Sequence, residues 1–433
     1  MKKILIAGSL ILTILFSFSI VPSHTLVETV LRRDLVIDLG AGLTTDAQLT
    51  IPAVGKGPFP GVILVHGSGP MDMNEYLPPL VTGTGEPSRP FLQIAEYLSE
   101  RGFVVLRYNK RAIGLNMTVL DQNVYGNMTV QDLIGDAEKA IEVLIQQPEV
   151  DINDITIIGH SEGTAIAPII ADEDPRVKKI VLMSAYAQNL SDVIYYQLVD
   201  RTIFFAEEID TNDDGLLSIQ EVYATMEVEN VELSPLPPEL MIENSTGVWL
   251  WYPELDANED SYFSIDEELK PLRIGAFEWF TTTEFPGSIW LHSHFIMDTN
   301  LALIGNVSAS ILILQGENDT QAPVEEAFLL EQRLTEIDHP DHTLITYPSI
   351  GHSFYPTNGW IQPLGPIQEY VLSDLATWLK DPDRDLNQQI SELRSTLDAT
   401  TTLAYIAIGI AIIAVVVAVV MTLRRRPESK IIE

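Results

Sequence analysis

From about residue 46 to 184 the chain alternates short apolar runs with longer segments whose apolar positions recur every three or four residues. Val, Ile and Leu dominate runs over 47–51, 61–65, 104–108, 155–158 and 179–183, which predict strands. The intervening stretches 91–101, 130–147 and 163–171 predict helices; in the second, Leu133, Ala137, Ala140, Ile141 and Leu144 form one stripe. The rhythm resumes with a strand over 311–314, a helix over 325–337, a strand over 343–347 and a closing helix over 367–379. Near-continuously apolar strands separated by helices predict an α/β protein whose doubly wound, mostly parallel sheet is covered on both faces.

The interruption from 188 to 305 breaks this rhythm. It is rich in Asp, Glu, Trp and Tyr, and its position in the chain predicts a cap over the mouth of a site. Trp249, Trp251, Trp279 and Trp290 are candidates to line an apolar pocket there, with packing inside the insertion the more ordinary role.

Two further apolar stretches flank this core. Met1-Lys2-Lys3 followed by an apolar run from Ile4 to Val21 predicts a signal peptide or signal anchor over 1–27. An uncharged stretch over 400–423, followed at once by Arg424, Arg425 and Arg426, predicts a C-terminal transmembrane helix with a cytoplasmic tail over 424–433. Both basic flanks orient the core outside the cell. Before the span, Leu386, Ile390, Leu393 and Leu397 predict a stalk helix over 382–399 that offers a route to self-association. The expected organisation is therefore a core in two parts, 34–187 and 306–381, split by the cap and anchored in the cell membrane.

Composition narrows the classes. The chain holds 25 Lys and Arg against 61 Asp and Glu, a formal charge of −36, which argues against nucleic-acid partners. It has no cysteine, so disulfides, thiol catalysis and cysteine-ligated zinc are excluded. Sequons at Asn116, Asn127, Asn189, Asn244 and Asn306, with a sixth at Asn318, are compatible with export.

The candidate chemistry sits at strand ends. Gly159-His160-Ser161-Glu162-Gly163 follows a β-branched run and precedes a small-residue helix start, the order that lifts a serine out of a sheet as a nucleophile. Such a serine needs an acid and then a histidine further along the chain. Asp319, in competition with Glu317, follows the strand over 311–314, and Gly351-His352 follows the strand ending at Tyr347. His66-Gly67-Ser68-Gly69-Pro70 follows an early strand, so the backbone N–H groups of Ser68 and Glu162 are the expected oxyanion donors, worth about 2.7–4 kcal/mol each. His292-Ser293-His294 lacks a third metal ligand and reads as pocket or structural histidines.

On these pieces, with Leu106-Arg107-Tyr108-Asn109-Lys110-Arg111 and Gly316-Glu317-Asn318-Asp319, residues 36 to 380 resemble the α/β-hydrolase superfamily, in its esterase and serine-aminopeptidase-like branch. The resemblance implies hydrolysis of a small-molecule carboxylic ester or amide through an acyl-enzyme. Thr164, where that branch often has a third glycine, and the long insertion depart from the pattern without touching the triad.

Inside the insertion, residues 210–221 fit the twelve-residue EF-hand calcium loop: Asp210, Asn212 and Asp214 offer side-chain oxygens, Leu216 a carbonyl and Glu221 a bidentate carboxylate. A second copy over 256–267 keeps Asp256, Asn258, Asp260, the Tyr262 carbonyl and Glu267, with Ser261 replacing the turn glycine Gly215. The two loops are expected to pair through Leu217 and Phe263, and calcium to stabilise the cap; no cofactor is expected in the chemistry itself. The sequence thus predicts a membrane-anchored extracellular ester hydrolase with a calcium-binding cap. The alternatives are a peptidase with a cap carboxylate gripping the substrate amine, and a non-catalytic calcium-dependent adhesion protein.

Overall fold

The computed structural model describes residues 29–381 except 83, 227–240, 244–248, 254, 257 and 358–362. Eight strands form one sheet: β1 (Val30–Gly40), β2 (Leu43–Pro52), β3 (Phe59–Val65), β4 (Val104–Tyr108), β5 (Val150–His160), β6 (Val177–Met183), β7 (Ser310–Gly316) and β8 (His342–Tyr347). Their order across the sheet is β1-β2-β4-β3-β5-β6-β7-β8. From β4 to β8 every pair is parallel. The pairs β1–β2 and β2–β4 are antiparallel, so one edge of the sheet is mixed.

Each inner strand buries alternate residues on opposite faces, which is why their sequences read as unbroken apolar runs. Ile63, Val65, Ile155 and Ile157 pack with helices α3 (Val130–Ile145), α4 (Gly163–Glu173) and α11 (Val324–Glu336). Val62, Leu64 and Ile158 pack on the other face against α1 (Pro90–Ser99) and α12 (Glu369–Lys380). The stripe on α3 lies wholly in the first of these cores, and Thr129 and Asp132 start that helix with a reciprocal capping box.

Strand β1 is absent from the sequence-based expectation. It is an edge strand in which charged and apolar residues mix, and Val36 on it is 62% exposed. A search for runs buried on both faces passes over such a strand. The tight turn to β2 uses Gly40, Ala41 and Gly42, all at positive φ.

The insertion leaves the sheet after β6 and returns at β7. It is chiefly helical, not arrhythmic as its sequence implies. Helix α5 (Leu190–Tyr195) continues through a π turn at Tyr196–Asp200 into α6 (Arg201–Ile209), and α7 (Ile219–Met226) follows. A second π turn at Ile265–Leu269 leads into α8 (Lys270–Phe280), followed by α9 (Ser288–Phe295) and α10 (Asn300–Leu303). Residues including Ile203, Phe205, Leu217, Trp251, Phe263 and Leu269 give this cap a core of its own. Outside the cap, α2 (Gln122–Gly126) is a single short turn of helix capped by Asp121.

The expected single C-terminal membrane span is corrected. Among the described residues no helix is long and apolar enough to cross a membrane. Among the described residues the architecture is therefore an α/β core with a helical cap and no membrane-spanning helix, so the expected single C-terminal span, and the membrane-anchored, extracellular placement argued from it, are not supported. The stretches that prompted the idea, 1–27, 382–399 and 400–423, lie outside the described residues, as does the tail 424–433.

Candidate active site

The turn between β5 and α4 carries Ser161 with a φ of +50°, a left-handed conformation that a serine adopts only under constraint, at about 1–3 kcal/mol. The constraint is visible on either side. A Cβ on Gly159 would lie 2.3 Å from the Gly163 carbonyl oxygen, and one on Gly163 would lie 2.3 Å from the Val65 oxygen. Both glycines are thus required by close packing of strand, turn and helix. The Ser161 N–H donates to Met183 O at 2.9 Å, and its carbonyl accepts the Thr164 N–H at 2.9 Å.

The ends of β7 and β8 bring Asp319 and His352 together. His352 Nδ1 lies 2.8 Å from Asp319 Oδ2, both side chains being nearly inaccessible. The other carboxylate oxygen accepts the Gln321 and Ala322 N–H groups at 2.8 and 2.9 Å, and Gln315 Nε2 donates to Oδ2 at 3.2 Å. Glu317, the competing acid, instead accepts the Thr346 hydroxyl at 2.8 Å on the surface. Ser184 Oγ donates to the His352 carbonyl at 2.7 Å, fixing the loop behind the imidazole.

Ser161 and His352 line one cavity of about 310 Å³ between sheet and cap. Its walls are mostly apolar, with Phe91 and Ile94 from α1, Leu190, Val193 and Ile194 from α5, and Trp290 from α9. Trp290 alone of the four candidate tryptophans reaches it. Trp251 is buried in the cap's own core, Trp249 packs at its edge, and Trp279 is exposed. Ser68 and Glu162 also line the cavity. Among the described residues, no protein acceptor takes the backbone N–H of either.

The polar residues beside the turn form pairings that no sequence signal marks. Glu162, fully buried, accepts from Lys110 Nζ at 2.6 Å, Trp290 Nε1 at 2.5 Å and His294 Nε2 at 2.7 Å. Burial opposes its charge, but Lys110 and His294 outweigh burial and hold its carboxyl down at about 2. Glu75 lies 3.0 Å from His160 Nδ1 and accepts the Gly67 N–H at 2.7 Å. Burial opposes the charge of this pair also, yet each partner sustains the other: Glu75 titrates below its ordinary value and His160 above it. His66 is driven the other way, to about 4, by burial and by Lys110. Pairings between residues so far apart in the chain leave no local pattern; the expectations that His294 is a pocket or structural histidine and that Trp290 is a pocket candidate anticipated part of them.

The two acidic loops of the cap form a pseudo-symmetric pair. Leu217 pairs with Phe263 and Leu216 with Ser264 in a two-residue antiparallel ladder. In the first loop Asp210 accepts the Gly215 N–H at 2.7 Å and Asp214 the Leu216 N–H at 2.9 Å. In the second, Asp256 accepts the Ser261 N–H at 2.9 Å and Asp260 the Tyr262 N–H at 2.8 Å. Asn212 and Asn258 repeat one another as acceptors from Asp214 and Asp260. Ser261 takes a φ of +71° where Gly215 has +76°, so the substitution leaves the turn intact. Glu221 is held by Thr211 and Ser218, whereas in the second loop Glu268 rather than Glu267 accepts the Ser264 N–H. Among the described residues, no group of three or more His, Asp or Glu side chains is gathered closely enough to hold a metal ion.

The family described as BAAT / acyl-CoA thioester hydrolase C terminal matches residues 137–288, from α3 through the elbow into the cap. The esterase EstD of Thermotoga maritima is 34% identical over 178 residues, 41% of this chain; the match spans 38% of that protein's length. Among solved structures, the proline iminopeptidase of Mycobacterium smegmatis is 16% identical at a TM-score of 0.46, covering 83% of this chain and 100% of its own. The α/β hydrolase GrgF of Penicillium sp. sh18 is 15% identical at 0.43, covering 83% and 97%. With the strand order and the elbow, the family and esterase matches support a place in the α/β-hydrolase superfamily.

Proposed function

We propose that this α/β-hydrolase cleaves small carboxylic esters through an acyl-enzyme on Ser161. The observation that carries the reading is the Asp319–His352 pair at 2.8 Å, opening onto the same cavity as a serine held at positive φ. In the first step Ser161 Oγ attacks the ester carbonyl while His352 Nε2 takes its proton. Asp319 holds the imidazole tautomer and stabilises the imidazolium. The tetrahedral oxyanion is met by the N–H groups of Ser68 and Glu162, both without protein acceptors among the described residues. His352 then protonates the departing alkoxide, and water repeats the sequence to release the acid.

The cavity argues for the substrate class. At about 30 Å³ per water-sized group, 310 Å³ accommodates about ten such groups, a short to medium acyl chain. The family match adds a thioester as an alternative acyl donor for the same serine. A peptidase needs an accessible carboxylate for the substrate ammonium. Among the described residues that line the cavity, Glu75 and Glu162 are the acidic ones, and each is already engaged, by His160 and Gly67 or by Lys110, Trp290 and His294. This favours the ester.

The cap loops are proposed to bind calcium with a structural role. Drawn closer together than they stand here, Asp210, Asn212, Asp214, the Leu216 carbonyl and Glu221 would hold one ion, and Asp256, Asn258, Asp260, the Tyr262 carbonyl and Glu267 a second. The all-oxygen donor set suits that hard cation, and the Leu217–Phe263 ladder is the pairing such loops use. Calcium would supply charge neutralisation to an acidic pair of loops, with no part in acyl transfer. Its binding would compete with the contacts of Glu221 to Thr211 and Ser218.

The test is turnover of p-nitrophenyl esters of graded chain length, acyl thioesters and aminoacyl anilides by wild type and Ser161→Ala. The reading expects ester or thioester turnover that Ser161→Ala abolishes. Anilide turnover instead would establish the peptidase, and activity that survives the substitution would remove Ser161 as nucleophile.

A further inference from the structure

We infer that Lys110 is a positioning residue that holds both oxyanion donors in place, and that the cap completes this assembly through Trp290 and His294. The inference rests on the serine hydrolase reading above. The Gly67 carbonyl and the Ser68 N–H are the two ends of one peptide unit. Lys110 Nζ donates to that carbonyl at 2.6 Å and to Glu162 Oε2 at 2.6 Å. A single ammonium therefore grips the peptide that bears one donor and the side chain of the residue that bears the other.

The arrangement does more than tie two loops. A cation donating to a peptide carbonyl polarises the unit and strengthens its N–H as a donor. Gly67 is pinned from its other side as well, its N–H donating to Glu75 at 2.7 Å. Its segment has no regular secondary structure, so these contacts, and not a repeating ladder, set its position. The approach is close: a Cβ on Gly67 would lie 3.3 Å from Ser161 Cβ and from His160 Nδ1.

The remaining oxygen of Glu162 belongs to the cap. Oε1 accepts from Trp290 Nε1 and His294 Nε2, both on α9. A buried carboxylate deprived of donors is expensive, so seating α9 on the core and fixing Glu162 beside the nucleophile are one event. Trp290 also lines the cavity, which puts a cavity-lining ring on the same carboxylate. A charge pair that served only folding would have no reason to terminate on the Gly67–Ser68 peptide.

The experiment measures kcat and KM on a p-nitrophenyl ester for wild type, Lys110→Met, Lys110→Met/Glu162→Gln and Trp290→Phe. It adds inhibition by butylboronic acid, whose tetrahedral serine adduct presents an oxygen to the donors. The double variant removes both charges, so it tests the role even if the single variant does not fold. The expected result is a fall of about 100-fold in kcat and in boronate potency for the Lys110 variants, with KM within about threefold of wild type. Trp290→Phe, which keeps a smaller aromatic ring and removes the N–H donor, should lose about tenfold in kcat and in boronate potency. Losses carried by KM, or kcat and boronate potency close to wild type in the double variant, would overturn the positioning role. An unchanged Trp290→Phe would overturn the cap's share. Failure of the wild type to turn over ester or to be labelled at Ser161 by a fluorophosphonate would defeat the hydrolase reading, a separate outcome.

Discussion

Ser161 and its neighbours show how tightly single residues are specified here. Gly163→Ala would drive a methyl group into the Val65 carbonyl, where backbone on both sides leaves no room to give. The expected result is loss of soluble protein or a destabilisation at or above the usual 1–3 kcal/mol for overpacking, read from urea unfolding midpoints. Glu162 makes a pH-dependent contribution. Its folded value of about 2 lies below the ordinary 4.5, so its contribution is complete above 4.5 and is lost as pH falls from there towards 2. Glu162→Gln should therefore be less stable at neutral pH, with Lys110 left unpaired, yet show a shallower loss of stability across that acid window. Unfolding midpoints at pH 7, 4.5 and 3 check both halves; an unaltered acid slope would remove Glu162 as its source. Ser161, Asp319 and His352 stood out in the sequence as candidates because each follows its own strand. The pairings of Lys110 and Glu75 did not, and Trp290 stood out only as a candidate pocket residue, since these contacts cross 8 to 128 residues of chain.

The elements divide by how they announce themselves. Inner strands and their covering helices follow from apolar periodicity within a few residues of the observed bounds. The edge strand β1 does not, because half of it faces water. The cap's helices were also missed, because acidic loops and aromatic residues interrupt their pattern. One wall of the cavity is α5, which runs through the π turn into α6 and ends at Asp210, the first residue of the first acidic loop. Ile194→Phe would fill the cavity from that wall, and the ester preference should move to shorter acyl chains, with the ratio of kcat/KM between butyrate and octanoate esters rising. An unaltered ratio would place the acyl chain elsewhere. Leu217, fully buried where the two loops meet, should cost about 2–5 kcal/mol as Leu217→Ala, read as a lowered unfolding midpoint of the cap.

At the scale of the molecule, an acidic cap sits on an α/β core within a chain of net charge −36. If calcium fills the paired loops, chelator should lower the melting temperature of the whole protein while leaving ester turnover at moderate temperature nearly unchanged. Identical melts with and without chelator would end the calcium proposal. The expected single C-terminal span is not supported at this scale: among the described residues no helix is long and apolar enough to cross a membrane.

What the sequence determined by itself was the order of strands and helices, the elbow glycines, the acid and histidine after their strands, and the repeated acidic loops. These are local consequences of periodicity, turn stereochemistry and donor spacing. Only the tertiary structure decided which acid meets His352, which tryptophan enters the cavity, and that one buried lysine joins the Gly67 loop to the turn that carries Ser161. Those outcomes depend on which distant side chains share a desolvated space, and burial makes their pairing obligatory without leaving a mark on the neighbouring sequence.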